Sequence, residues 1–121
     1  ITTYKANRVV IDSLSVIDVL LNNPGEYRRS MISLINNLKR LKVTSWSISE
    51  LSHLDITNEE IKPEFFMFDG LISLYEIKKE DRSQLVLTVQ KMRGSNHSFA
   101  ITPYEITPRG FNIISAEGME Q

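Results

Sequence analysis

The chain has 121 residues, 41% of them hydrophobic, which suits one globular domain with an apolar core of its own. Its formal net charge is −1, so no global basic field draws it to nucleic acid or to a membrane surface, and any such binding must be local. Cysteine is absent, which excludes disulfides and thiolate metal sites and fits a reducing, cytoplasmic compartment.

No apolar run reaches the length of a membrane span, and the N-terminus lacks the pattern of a signal peptide. The chain opens on Ile1 rather than Met and soon reaches a core-like strand, which leads us to expect a partial chain. Residues 1–7 form a short polar lead-in. Arg8 to Ser15 then reads RVVIDSLS. The run Val9, Val10 and Ile11 is that of a strand buried on both faces of a parallel sheet. Asp12 closes it. A carboxylate at the carboxyl end of such a strand lies where α/β sheets bind ligands, the setting of a Walker-B aspartate that helps hold Mg²⁺. Asp is also a favoured N-cap, so capping of the helix that follows is the other reading.

Val16 to Leu21 reads as a short helical turn. Asn23-Pro24 marks a helix start, with Asn as cap and Pro at the first helical position. Met31, Leu34, Ile35, Leu38 and Leu41 follow at spacings of three and four, an amphipathic helix laying one face on a sheet. Arg28, Arg29, Lys39, Arg40 and Lys42 lie mostly off that stripe and read as a solvated face. Arg28-Arg29 is the pair to test at a subunit interface. Val43 to Ser49 (VTSWSIS) is rich in strand formers and would lie parallel to the first strand in a right-handed βαβ unit. Thr44, Ser45 and Ser47 could sense a phosphate, although such hydroxyls more often bond locally to backbone. Trp46 reads as a packing residue. Glu50 to Pro63 is a polar surface connector; His53, Asp55, Glu59 and Glu60 fall in it without metal-ligand spacing.

From Phe66 onward the pattern becomes antiparallel β. Gly70 to Ile77 and Arg82 to Arg93 flank the charged turn Lys78-Lys79-Glu80-Asp81 as a hairpin. Leu85, Leu87 and Val89 alternate with polar residues, and in that phase Lys91 and Arg93 continue the apolar face to where the core runs out. Gly94 lets the chain turn, and Ser95, Asn96 and His97 follow. Two cations two residues apart suit an oxygen-rich anion such as a triphosphate, with Lys a compact charge and Arg a fork. A last hairpin pairs Tyr104 to Thr107 with Phe111 to Ser115 across Pro108-Arg109-Gly110, and residues 116–121 form a loose tail.

RVVIDSLS, the helix carrying Arg28-Arg29, VTSWSIS, FMFDGLISL, KMRGSNH and YEITPRGFNII together resemble the KaiC-like family of the RecA superfamily of P-loop ATPases, in order and approximate spacing. The likeness covers nearly the whole chain; KxRGxxH followed by the [F/Y]xIT…GxxI hairpin is its most specific part. It implies an α/β fold, the C-terminal part of a RecA-like sheet, in which parallel strands with a crossover helix precede antiparallel β-hairpins. Residues 1–49 would be the βαβ segment with Walker B, 50–69 a connector, and 70–121 the hairpin region with KMRGSNH. The resemblance further implies ATP and Mg²⁺ as ligands, with Asp12 the Walker-B aspartate. Lys91 and Arg93 would reach a neighbouring subunit's γ-phosphate, Arg93 as an arginine finger, with Ser95 and His97 at the nucleotide. The intact protein would be a homo-oligomeric ring, a hexamer being one size. Nucleic acid binding rests on superfamily analogy alone, and the charge does not support it.

One motif departs from the family. GxxxxGK[ST] is missing from the 121 residues, so the loop that cradles phosphates would precede Ile1. The fragment alone is then expected to hydrolyse ATP very weakly or not at all, and a non-hydrolytic assembly or nucleotide-sensing module is the alternative. Other chemistry finds little support. His53 and His97 are the only histidines and no serine sits in GxSxG, which disfavours a hydrolase triad. Phe65, Phe66 and Phe68 cluster without interleaved cations, unlike an RNA-stacking platform.

Overall fold

The first strand, β1 (Arg8–Asp12), pairs in parallel with β2 (Thr44–Ile48), and two helices lie between them, α1 (Leu14–Leu21) and α2 (Pro24–Arg40). This computed structural model describes residues 1, 3–50, 62–79 and 82–114. A 3-10 turn over Pro63–Met67 precedes four further strands: β3 (Gly70–Lys79), β4 (Arg82–Met92), β5 (Thr102–Thr107) and β6 (Gly110–Ile113). These four form one antiparallel sheet in the order β3-β4-β5-β6. The architecture is α/β, parallel strands with helical crossover followed by antiparallel hairpins, as the sequence led us to expect. The chain divides into two units, Ile1–His53 with Ile61–Phe68, and Leu54–Glu60 with Asp69–Gln121. The polar connector of the sequence reading, with His53 in it, falls almost wholly outside the described residues, as do residues 80–81 of the hairpin turn.

In the first unit the helix signals act as read. The Asn23 side chain accepts from the N–H groups of Gly25 and Glu26, and Pro24 occupies the first turn. Glu26 in the first turn and Lys39 and Arg40 in the last complement the helix dipole. The buried stripe of α2 is Tyr27, Met31, Ile35 and Leu38. Tyr27 extends it one turn beyond the expected set, whereas Leu41 sits exposed at the C-cap. Leu14, Tyr27 and Met31 form the core, with Ile11, Ile17, Leu21, Leu34 and Phe68 packed around them. The helical turn expected at Val16 is longer in fact, an eight-residue helix entered from Ser13. Ser13 occupies the N-cap, so Asp12 is not the cap of this helix.

The expectation that β1 is buried on both faces is not met. Val9 and Ile11 are half-buried, while Val10 is 69% exposed beside Trp46, its partner in register, at 62%. A single parallel neighbour and the helical core cover only one face, so Trp46 is not a packed residue among the described ones. A continuous apolar run is the sequence of a strand covered twice; half of that covering is what this segment has.

In the second unit the long hairpin β3–β4 carries the interior. Ser73 and Tyr75 of β3 face Thr88 and Val86 of β4 in register, and all four are buried. The Gln90 amide donates to the Tyr75 hydroxyl (3.2 Å), and the Thr88 hydroxyl donates to the Phe99 carbonyl (3.4 Å), which satisfies polar groups placed among apolar ones. At the far end of the sheet Tyr104 stacks on Phe111, ring centroids 4.4 Å apart. Thr107 pairs with Gly110, so the last loop is Pro108-Arg109 alone, one residue tighter than the sequence suggested. Gly110, at φ +114°, meets a backbone requirement other residues meet at a cost.

This hairpin corrects the strand phase. Leu85, Leu87 and Val89 were expected to line the core face, yet the buried β4 side chains are Val86 and Thr88. Lys91 and Arg93 do not continue the Leu85–Val89 face either. Ile72 pairs with Val89, but its neighbour Leu71 pairs with Lys91, so Gln90 is an extra residue in β4, a β-bulge. Strand side chains alternate with period 2, and one inserted residue reverses the phase of everything beyond it. Lys91 therefore lies across from Leu71, on the face of β3 that carries Ser73 and Tyr75.

Candidate functional site

Asp12 ends β1 with an exposed side chain, opposite Ile48 at the carboxyl end of the parallel pair. That end of a parallel strand is where an α/β sheet offers groups to a ligand. Its peptide bond to Ser13 is cis. On β2 and just past its end, the hydroxyls of Ser47 and Ser49 are buried and find no hydrogen-bond partner among the described residues. Among the described residues, neither those hydroxyls nor the ones of Thr44 and Ser45 show a local backbone bond. The Ser15 hydroxyl bonds to distant backbone instead, accepting from the Glu50 N–H at 2.7 Å. Arg28 reaches within 3.6 Å of the buried Glu64 carboxylate, so the arginine singled out for an interface has a partner within its own chain.

Lys91, Arg93, Ser95 and His97 follow one another at the end of β4 and in the turn beyond it. Lys91 is half-buried and Arg93 exposed. The Arg93 N–H donates to the Asp69 carbonyl (2.7 Å), which adds one rung to the ladder beyond the Gly70–Met92 pair. Residues opposed across an antiparallel pair share a face, and the Asp69 carboxylate accepts from Arg93 Nη1 at 2.9 Å. Gly94 then takes φ +74°, and the Ser95 N–H closes the turn onto the Met92 carbonyl (3.3 Å). His97 stacks at a tilt on Phe99, centroids 4.5 Å apart. Its Nε2 is buried without a hydrogen-bond partner among the described residues, an arrangement that suits a polar ligand atom.

The second unit thus brings the two cations onto one face of one sheet end, with Ser95 and His97 in the adjoining turn; Asp12 is a residue of the first unit. Sequence reasoning missed Asp69. The FDG triplet that begins β3 carried the signal, since a carboxylate before a strand-opening glycine sits opposite whatever ends the partner strand. Among the described residues no three His, Asp or Glu side chains gather to hold a metal. A single exposed carboxylate at a strand end nonetheless fits Mg²⁺, which takes one or two carboxylates and fills its other positions with water and phosphate oxygens.

A parallel β-α-β segment with a terminal carboxylate, followed by an antiparallel sheet, is a RecA-type α/β arrangement. The KaiC ATPase family profile matches residues 1–118, and the chain belongs to that family. The circadian clock oscillator protein KaiC of Nostoc sp. is 29% identical over 119 residues, 98% of this chain and 23% of that protein. KaiC of Synechococcus elongatus is 28% identical over 125 residues, again 98% of this chain and 23% of the relative. The crystal structure of a KaiC-like protein from the hyperthermophilic archaeon Pyrococcus horikoshii superposes with a TM-score of 0.76 at 27% identity, covering 94% of this chain and 49% of that one. The chain therefore spans less than a quarter of these KaiC proteins and about half of the archaeal one. No helix among the described residues is long and apolar enough to cross a membrane.

Proposed function

We propose that this chain is the C-terminal half of a KaiC-type ATPase domain and contributes to two nucleotide sites at once. Asp12 would serve its own subunit as the Walker-B aspartate, and Lys91 and Arg93 would serve the neighbour's γ-phosphate across a subunit boundary in a homo-oligomeric ring. Residues 1–49 are then the Walker-B segment, 50–69 the connector and 70–121 the segment that meets the neighbour. Ser95 and His97 lie at that same nucleotide. A bound Mg²⁺ would supply positive charge against the negative charge that develops on the phosphate. Asp12 is the residue that would hold it.

The observation that carries the reading is the paired placement of Lys91 and Arg93 on one face of a strand end, inside a family match that spans residues 1–118. Arg supplies a planar fork to the transferring phosphoryl group and Lys a point charge, so both cations have work at a γ-phosphate. Arg93→Ala in the protein carrying the whole domain should cut ATP hydrolysis by roughly 10³-fold or more, the range of an arginine finger. Mixing Arg93→Ala subunits with subunits disabled in the phosphate loop should restore part of the rate, because each supplies what the other lacks. An unaltered Arg93→Ala rate removes the finger; no recovery at any mixing ratio removes its action in trans. A second reading, an assembly or nucleotide-sensing module without turnover, is favoured for the 121 residues by themselves, since they contain no GxxxxGK[ST].

A further inference from the structure

We infer that Asp69 is the positioning residue for Arg93, fixing the guanidinium before any phosphate arrives; the inference rests on Arg93 acting as proposed above. Arg93 lies one residue past the end of β4, and the chain leaves in a left-handed turn at Gly94 immediately afterwards. A long side chain at such a place samples many rotamers, and fixing it at the moment of reaction costs conformational entropy. Asp69 holds it at both ends. Its carbonyl takes the Arg93 backbone N–H at 2.7 Å, and its carboxylate takes Nη1 at 2.9 Å. The first bond sets where the side chain leaves the backbone, and the second sets where its tip lies.

The pair is poorly suited to a purely architectural purpose. The two side chains are 54% and 65% exposed, and ion pairs so exposed contribute little to stability. A carboxylate beside an arginine also lowers the positive potential offered to an anion. A residue selected only for phosphate affinity would therefore not be acidic. Orientation is the property that a charge-assisted bond to one guanidinium nitrogen improves.

Four variants of the protein carrying the whole domain test this: Asp69→Ala, Asp69→Glu, Arg93→Ala and the Asp69→Ala/Arg93→Ala double. Asp69→Ala should lower kcat for ATP hydrolysis by roughly 10- to 100-fold, the scale of a catalytic group displaced by about an ångström. KM for ATP should stay within about twofold, as for a group that acts mainly in the transition state. Asp69→Glu should recover part of the loss, and the melting midpoint should be unchanged. In the Arg93→Ala background the Asp69→Ala change should have no further effect, since nothing is left to orient. An equal fold-loss in both backgrounds would overturn the inference, as would an unchanged or higher kcat in Asp69→Ala alone while Arg93→Ala is impaired. A failure of the finger reading looks different: Arg93→Ala itself would then hydrolyse ATP at the unmodified rate, and the inference falls with it.

Discussion

The two units place stability and chemistry in different settings. In the first, Leu14, Tyr27 and Met31 are 1–2% exposed and lock α1 to α2, and a formed N-cap and a dipole-complementing charge pattern hold α2 in place. In the second, the residues proposed to reach a neighbour are the half-buried Lys91 and the exposed Arg93 at a strand end, with Arg93 bonded to the Asp69 carboxylate across the hairpin. The first arrangement resists substitution because every neighbour is packed. The second tolerates it because water replaces whatever is removed. Groups that must meet a ligand on another surface are best carried where their loss leaves the fold intact.

Substitutions in the first unit sharpen that contrast. Met31→Ala should have the largest effect on stability, about 2–5 kcal/mol, because a fully buried side chain is replaced by a cavity at the centre of the helical core. Urea unfolding checks it. A cost below about 1 kcal/mol, the upper range of an exposed ion pair, would erase the distinction between the units. Asn23→Ala removes the acceptor for two helix N–H groups and should cost about 1 kcal/mol. Asn23→Asp should retain most of it, since the carboxylate accepts the same bonds and favours the helix dipole.

Tyr27→Phe should have the smallest effect, and its sign depends on pH. The hydroxyl is buried and finds no partner among the described residues, so its removal near neutrality should change stability by no more than about 1 kcal/mol. Burial, with the Asp18 and Glu64 carboxylates adding to it, pushes the phenol up to about 12. The unfolded chain ionises at about 10. Folding therefore favours the neutral phenol, and that contribution is whole below pH of about 10 and lost as pH rises toward about 12. Urea midpoints should fall more steeply over this window in the unmodified protein than in Tyr27→Phe; parallel declines would show that Tyr27 does not govern the alkaline limb. Lys62, paired with Asp18 and seated 4.6 Å from the Tyr27 ring centroid, belongs to the same cluster.

Much of the fold was legible because its signals are local. Asn23-Pro24 specifies a helix start by hydrogen bonding and a fixed φ, needs no distant partner, and was read correctly. The parallel pairing of β1 with β2 followed from the helix between them, and the hairpins from turn residues. Burial was less legible. Val10 and Trp46 have the chemistry of interior residues, but exposure depends on which layers cover the strand, a property no segment carries by itself. For the candidate site, Lys91, Arg93, Ser95 and His97 were visible as a run of chemistry at a strand end. Asp69 was not, because it lies 24 residues from Arg93 and only the register of β3 against β4 brings them opposite.

Gln90 remains the least conspicuous residue of this arrangement and among the most consequential. As the extra residue in β4 it makes the position of every later side chain a matter of parity. If β4 paired regularly with Gln90 in the ladder, Gln90 would face Leu71 and Lys91 would face Gly70, which would turn both cations to the opposite side of the hairpin; deleting Gln90 removes the bulge and leaves Lys91 across from Leu71. The side on which the cations emerge is thus set by where the strand bulges as well as by the residues named in the site, and a register drawn without the bulge would put them on the wrong face.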